Sequence, residues 1–195
     1  MTEVQIDRCS AKQQFVLTLA GEGDAVVAIT IDDLPVLKFD VLTFGIPKNE
    51  KVGYEVTANF FAYNISNGGV FYTDSNGLEM QTRKLNFRPS WDLQVKDGGL
   101  NITANYYPVQ TAVAIVDEVT NMQMVVMNDR SQGGSVIKDG RVELMHNRRI
   151  NKDDGRGVDE PLNEVDTNGN GISVPATYYV QLFNQRKQHS LQRII

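Results

Sequence analysis

Asp129 to Glu164 reads DRSQGGSVIKDGRVELMHNRRINKDDGRGVDEPLNE, and the fold turns on how this stretch is parsed. A polar loop, Asp129-Arg130-Ser131-Gln132-Gly133-Gly134, opens it. Two short apolar runs follow, Val136-Ile137 and Val142 to Met145, joined by Lys138-Asp139-Gly140. Asp-Gly between apolar runs is a strong hairpin signal, because tight two-residue turns need positive φ. A second polar segment runs from His146 to Gly157. The stretch therefore reads as a β-hairpin between two loops dense in side-chain donors and acceptors. Gln132-Gly133-Gly134 lacks the spacing of a phosphate loop and reads as a turn needing φ > 0.

The same punctuation continues on both sides. Residues 13–20 alternate, with Phe15, Leu17 and Leu19 on one face. Val26 to Ile31 and Pro35 to Phe44 are apolar, β-branched runs split by Asp32-Asp33. Tyr54 to Tyr63 alternates again until Asn67-Gly68-Gly69 breaks it. Val70 to Thr73 and Leu78 to Asn86 flank the turn Asp74-Ser75-Asn76-Gly77. Ala112 to Val116 and Met122 to Met127 form another pair; the second is helical by propensity but too short to stand alone as a helix. Tyr178 to Phe183 is a final strand. About ten short strands with little helix predict an all-β fold, a β-sandwich, as one region over residues 1–195. The best candidate for a boundary is the Gly/Asn-rich stretch at 166–171.

Composition narrows the function classes. A chain of 195 residues builds one substantial core or at most two small ones. A formal charge of −5 without a long basic run argues against a nucleic-acid partner. The single cysteine, Cys9, allows no internal disulfide and no cysteine-built zinc site. The start, Met-Thr-Glu-Val-Gln-Ile-Asp-Arg, does not read as a signal peptide, and no segment has the length of a membrane-spanning helix. Two sequons occur, Asn64-Ile65-Ser66 and Asn101-Ile102-Thr103.

No complete catalytic constellation is legible. Acid–base catalysis by a carboxyl pair needs two carboxyl groups held on opposite sides of the reacting bond. Asp153 and Asp154 are adjacent, and neighbours on an extended segment point to opposite faces. Asp129, Glu143 and Glu160 are further acids that nothing in the sequence brings together. The two histidines, His146 and His189, stand in unrelated contexts, so no metal site is expected here. Asp166-Thr167-Asn168-Gly169-Asn170-Gly171 resembles half a calcium loop, but Thr177 stands where the closing glutamate belongs, and a tight turn explains it equally well. Ser131 and Ser135 have no nucleophile elbow around them. Trp91, the sole tryptophan, reads as core, with sugar stacking as the sharper alternative.

Several segments taken together resemble glycoside hydrolase family 38, the zinc-dependent α-mannosidases, in the C-terminal region of the lysosomal (acid) branch. They are Phe71-Tyr72-Thr73-Asp74-Ser75-Asn76-Gly77, Asn105-Tyr106-Tyr107-Pro108-Val109, Asp129 to Ser135, Glu143-Leu144-Met145, Arg148-Arg149, Asp153 to Gly157 and Glu160-Pro161-Leu162. Order and spacing agree over residues 70–164. The resemblance implies a mutarotase-like β-sandwich that is part of a larger enzyme. That enzyme would remove terminal α-mannose from glycans with retention. Its zinc and nucleophilic aspartate would come from an N-terminal domain outside this sequence, and that domain would be the partner. By the same resemblance Arg148 and Arg149 are the substrate-binding residues, facing a mannose-containing glycan, with Asp153, Asp154 and Arg156 supporting their loop by ion pairs. The family usually has an aromatic, acidic or basic residue before the arginines, whereas this chain has Asn147. Little or no catalysis is expected from the chain alone, and a lysosomal or secretory location follows for the parent. Surface normally covered by the missing domain would favour a homo-oligomer. The alternative is a non-catalytic carbohydrate-binding or assembly module.

Overall fold

The computed structural model describes residues 3–9, 12–19, 25–31, 35–48, 53–94, 100–150, 152–153, 155–157 and 160–184. Its strands are β1 (Glu3–Cys9), β2 (Lys12–Leu19), β3 (Ala25–Ile31), β4 (Leu37–Thr43), β5 (Tyr54–Phe61), β6 (Val70–Ser75) and β7 (Glu79–Lys84). After a single helical turn, α1 (Leu100–Thr103), come β8 (Tyr107–Val109), β9 (Ala112–Val116), β10 (Met122–Asn128), β11 (Gln132–Lys138), β12 (Arg141–Arg149) and β13 (Val174–Asn184). The fold is all-β, built from antiparallel sheets in a β-sandwich. Met122–Asn128 is a strand, as its position in the hairpin with β9 requires.

The chain divides into two compact units, Met1–Thr57 with Met145–Tyr178, and Ala58–Leu144 with Tyr179–Ile195. In the first unit β1, β2, β3 and β4 form an antiparallel meander, with Leu19 opposite Ala25 and Ile31 opposite Leu37, and β13 joins at β4. Thr177 Oγ1 donates to Asp40 Oδ1 at 2.8 Å across that last pairing. The 166–171 turn lies inside this unit.

The second unit holds two layers. One has the order β13-β10-β9-β6-β7 and the other β5-β12-β11-β8. Phe71, Val113, Ile115 and Val126 from the first layer are fully buried, as are Val109, Val136, Val142 and Leu144 from the second. The alternation of β12 explains its share: Val142 and Leu144 are buried while Arg141 and Glu143 are half-buried, and the same alternation continues to His146, beyond this unit. Tyr107 meets Phe71 edge-on at 5.6 Å and carries the guanidinium groups of Arg83 and Arg88 over its ring, so it is structural.

Two expectations are corrected. Gln132, Gly133 and Gly134 are strand, paired with Val109, Pro108 and Tyr107, and neither glycine has positive φ. Gly134 is needed for space: a Cβ there would lie 2.8 Å from both Leu144 Cδ2 and Val109 Cγ2. Trp91 is 61% exposed, so it is not core. The Asp139-Gly140 turn does join β11 to β12, with Lys138 opposite Arg141. Only Gly140 of the two has positive φ, so it is not the type I′ turn in which both do. Asp139 instead anchors a neighbouring loop, accepting hydrogen bonds from Ser66 Oγ at 2.7 Å and from the Asn67 and Gly68 N–H groups at 2.8 and 3.0 Å.

Candidate functional site

The end of β12 carries Arg148 and Arg149 into the first unit, where the alternation slips by one: Arg148 is exposed and Arg149 is 8% exposed. Arg149 Nη1 donates to the Ile46 carbonyl at 2.7 Å, and Nη2 reaches the Asn163 carbonyl at 3.5 Å. Its Nε is buried with no hydrogen-bond partner. Two glycines make this geometry possible. A Cβ on Gly45 would lie 1.9 Å from the Gly171 carbonyl oxygen, and one on Gly171 would lie 2.4 Å from the Ile46 oxygen and 3.0 Å from Arg149 Nη1. Their backbones touch, and the touching segments present the Ile46 carbonyl to Arg149. A glycine required for close approach of two backbones leaves no local signal in the sequence.

Arg148 turns outward into an open cleft of 410 Å³ lined by Arg148, Ile150, Asp153, Arg156, Glu160, Pro161, Leu162 and Glu164. A smaller pocket of 60 Å³ adjoins both arginines, with Ile46, Asn147, Leu162, Glu164 and Ile172 as its remaining walls. Its size suits a water or a sugar hydroxyl. The cleft is held by the Ile150 N–H donating to the Leu162 carbonyl at 2.9 Å. Asp153 Oδ2 accepts from the Gly155 N–H at 2.6 Å and so shapes the loop as a turn-forming carboxylate. Arg156 is exposed and lines the cleft. Asp154 lies outside the described residues. With two guanidinium groups among three carboxylates and apolar walls, the cleft has the mixed donor–acceptor character that polyhydroxyl ligands require.

The other candidates are occupied structurally. His146 is buried; Tyr178 O–H and His146 Nδ1 are 2.8 Å apart, and His146 Nε2 is 3.1 Å from the Val174 carbonyl. A carbonyl only accepts, so Nε2 carries the proton and Nδ1 accepts from the tyrosine. His189 lies outside the described residues. Glu143 accepts from Tyr106 O–H at 2.5 Å and from Arg141 at 3.3 Å, and Asp129 pairs with Arg130 at 2.9 Å. Asp166 Oδ1 accepts the Asn168 and Asn170 N–H groups at 2.8 and 2.9 Å, closing a turn with Gly169 at φ 82°. The Asn170 and then the Asn168 N–H hold its carboxyl below the usual range. Among the described residues no three His, Cys, Asp or Glu side chains come together to hold a metal ion.

Two acids at turns, Asp117 and Asp74, gather more donors than a turn alone requires. Asp117 accepts the Thr120, Ser66 and Val119 N–H groups, which depress its pKa. Asp74, only 4% exposed, accepts from five donors: the Gln110, Thr111 and Ala112 N–H groups on Oδ1, and the Gly77 N–H and Thr111 Oγ1 on Oδ2. Burial pushes its pKa up, but the Thr111, Ala112 and Gly77 N–H groups and the Thr111 hydroxyl outweigh it and leave the carboxyl below its usual value.

Residues 44–156 match the family described as the glycosyl hydrolases family 38 C-terminal domain. The chain is similar to the lysosomal alpha-mannosidase of Homo sapiens, 46% identical over 137 residues, which is 70% of this chain and 13% of that protein. It is similarly close to the lysosomal alpha-mannosidase of Bos taurus, 44% identical over 137 residues and the same shares of each chain. The alpha-mannosidase of Canavalia ensiformis is 38% identical over 142 residues, 70% of this chain and 14% of that protein. The matched part of the chain thus covers about an eighth of these relatives' length.

Proposed function

The chain belongs to family 38 of the glycosyl hydrolases through that family's C-terminal domain, and on this premise we propose that it forms the β-rich wall of an α-mannosidase active site. The parent enzyme removes terminal α-mannose from glycans or oligosaccharides with retention. Its zinc and its nucleophilic carboxylate come from an N-terminal domain outside these residues, which is the chain's partner. Since the relatives are named as lysosomal enzymes, the parent works in the lysosome or along the secretory pathway.

One observation carries the reading: the arginine pair is divided, with Arg149 buried on backbone carbonyls and Arg148 exposed on an open cleft. Arg149 fixes the strand end, and Arg148 offers its planar donors to vicinal hydroxyls of a mannose unit. Glu160, Glu164 and Asp153 supply acceptors along the same wall. Binding of this kind positions the sugar and does not itself break the bond, so its loss weakens substrate capture.

The test is hydrolysis of a chromogenic α-mannoside by the full-length enzyme and its Arg148→Ala variant. The expected result is a raised KM with kcat/KM lowered about 10- to 100-fold, equivalent to one or two good hydrogen bonds to a charged group. The isolated 195-residue chain is expected to show no turnover. Unchanged kcat/KM in the variant, or turnover by the isolated chain with added zinc, overturns the assignment.

A further inference from the structure

We propose that Asn64 is a site of N-linked glycosylation and that the first sugar packs on the exposed ring pair of Phe61 and Tyr63. The inference rests on the secretory routing proposed above. Asn64-Ile65-Ser66 has the acceptor spacing. The residues that follow Asn64, namely Ile65, Ser66 and Asn67, are pinned. Ile65 is buried in the second unit. Ser66 donates its hydroxyl to Asp139 Oδ2 at 2.7 Å and its N–H to Asp117 Oδ2 at 3.2 Å. Asn67 donates its amide to the Val70 carbonyl at 2.8 Å and accepts the Gly140 N–H at 2.8 Å. Asn64 is exposed, and its side chain has no partner among the described residues. A glycan on its amide nitrogen displaces no contact and projects from a loop that is already rigid.

The second observation is aromatic. Tyr63, adjacent to Asn64, is 88% exposed, and Phe61 is 49% exposed. Their rings meet edge-on, with centroids 4.3 Å apart and planes at 73°. Folding has assembled a ring pair and left it uncovered, where burial would have removed apolar area from water. The C–H face of a pyranose linked to Asn64 lies within reach of that pair and would cover it.

The chemistry balances without an oxidant. Asn64 Nδ2 attacks the anomeric carbon of an oligosaccharide carried on a lipid pyrophosphate. The bond from that carbon to the pyrophosphate oxygen breaks, the pyrophosphate leaves on its lipid, and the amide gives up one proton as the new C–N bond forms.

The full-length parent protein from a glycosylating host is treated with an amide-cleaving glycosidase in heavy-oxygen water and digested with trypsin. The peptide between Lys51 and Arg83 is expected to carry heavy-labelled aspartate at 64, and Asn64→Gln is expected to lose the mass of one glycan. The second sequon, Asn101-Ile102-Thr103, which closes α1, is read in the same digest. An unlabelled Asn64 beside a labelled Asn101 overturns this proposal alone. Both unlabelled overturns it together with the secretory routing. For the ring pair, enzymatic removal of the glycan is expected to lower Tm in the native protein and to leave Tyr63→Ala unshifted. An equal shift in both refutes the packing on Tyr63.

Discussion

Replacing Asp74 tests whether a buried carboxylate, with no part in binding, organises the second unit. Its two oxygens gather five donors from the β6–β7 turn and from residues 110–112 leading into β9. In Asp74→Ala all five lose a charged acceptor. Hydrogen bonds to charged groups contribute about 1.5–3 kcal/mol each, and simple addition would exceed what one substitution normally costs. A cleft of 110 Å³ borders Asp74, Gly77, Thr111 and Ala112, so water reaches some of the freed N–H groups. The expected loss is therefore about 3–4 kcal/mol, read as a fall of about 1.5–2 M in the urea midpoint at a slope of about 2 kcal/mol/M. Asp74→Asn separates the two oxygens. Its carbonyl keeps the three N–H groups gathered on Oδ1, while its NH₂ faces the Gly77 N–H, so the loss is smaller, about 2 kcal/mol. The acid dependence follows in sign. The folded pKa is depressed, so the carboxylate's contribution is complete above the unfolded value of about 3.9. It is lost as pH falls through the lower folded value, and the gap between native and Asp74→Ala protein narrows there. A penalty below about 1 kcal/mol for Asp74→Ala, or equal penalties for Ala and Asn, refutes the reasoning.

Glycine substitutions should rank by what the new Cβ meets. Gly45→Ala strikes backbone at 1.9 Å and should cost more than about 3 kcal/mol. Gly134→Ala meets the side chains of Leu144 and Val109 at 2.8 Å and the Glu143 carbonyl oxygen only at 3.3 Å and should cost about 1–3 kcal/mol; thermal melts giving the reverse order would sink this account. Trp91→Ala should change stability by no more than about 0.5 kcal/mol, and Trp91 fluorescence should be that of a water-exposed indole and readily quenched by acrylamide, since the side chain is 61% exposed. Arg149→Ala should lower Tm clearly while Arg148→Ala leaves it nearly unchanged, because only the first removes donors held on buried carbonyls. Equal effects on Tm would show that the division between the two arginines is wrong.

Alternation and turn residues made most strands legible, down to the bounds of Ala112–Val116. The failures have physical causes. Gly133-Gly134 carries strong turn propensity, but packing overrode it, because Val109 and Leu144 occupy the space a side chain would need. In β1, only Val4 and Ile6 are apolar beside Glu3, Asp7 and Arg8, so local pattern is weak and the pairing with β2 decides. Trp91 was assigned by the average habit of tryptophan, which says nothing about a particular bend.

The arginine pair shows where sequence reading must stop. Period-two alternation along β12 puts Val142, Leu144 and His146 inside, and its continuation would bury Arg148. The structure buries Arg149 instead. The deciding contact is the Ile46 carbonyl, 103 positions away in sequence, delivered by the touching backbones of Gly45 and Gly171. No local pattern encodes that meeting. Yet it selects which guanidinium is spent on the fold and which stays exposed on the cleft. Resemblance could name both arginines as a pair, but only the three-dimensional arrangement separates them, and a buried Arg149 is the reason an exposed Arg148 can be held at a fixed place on the cleft.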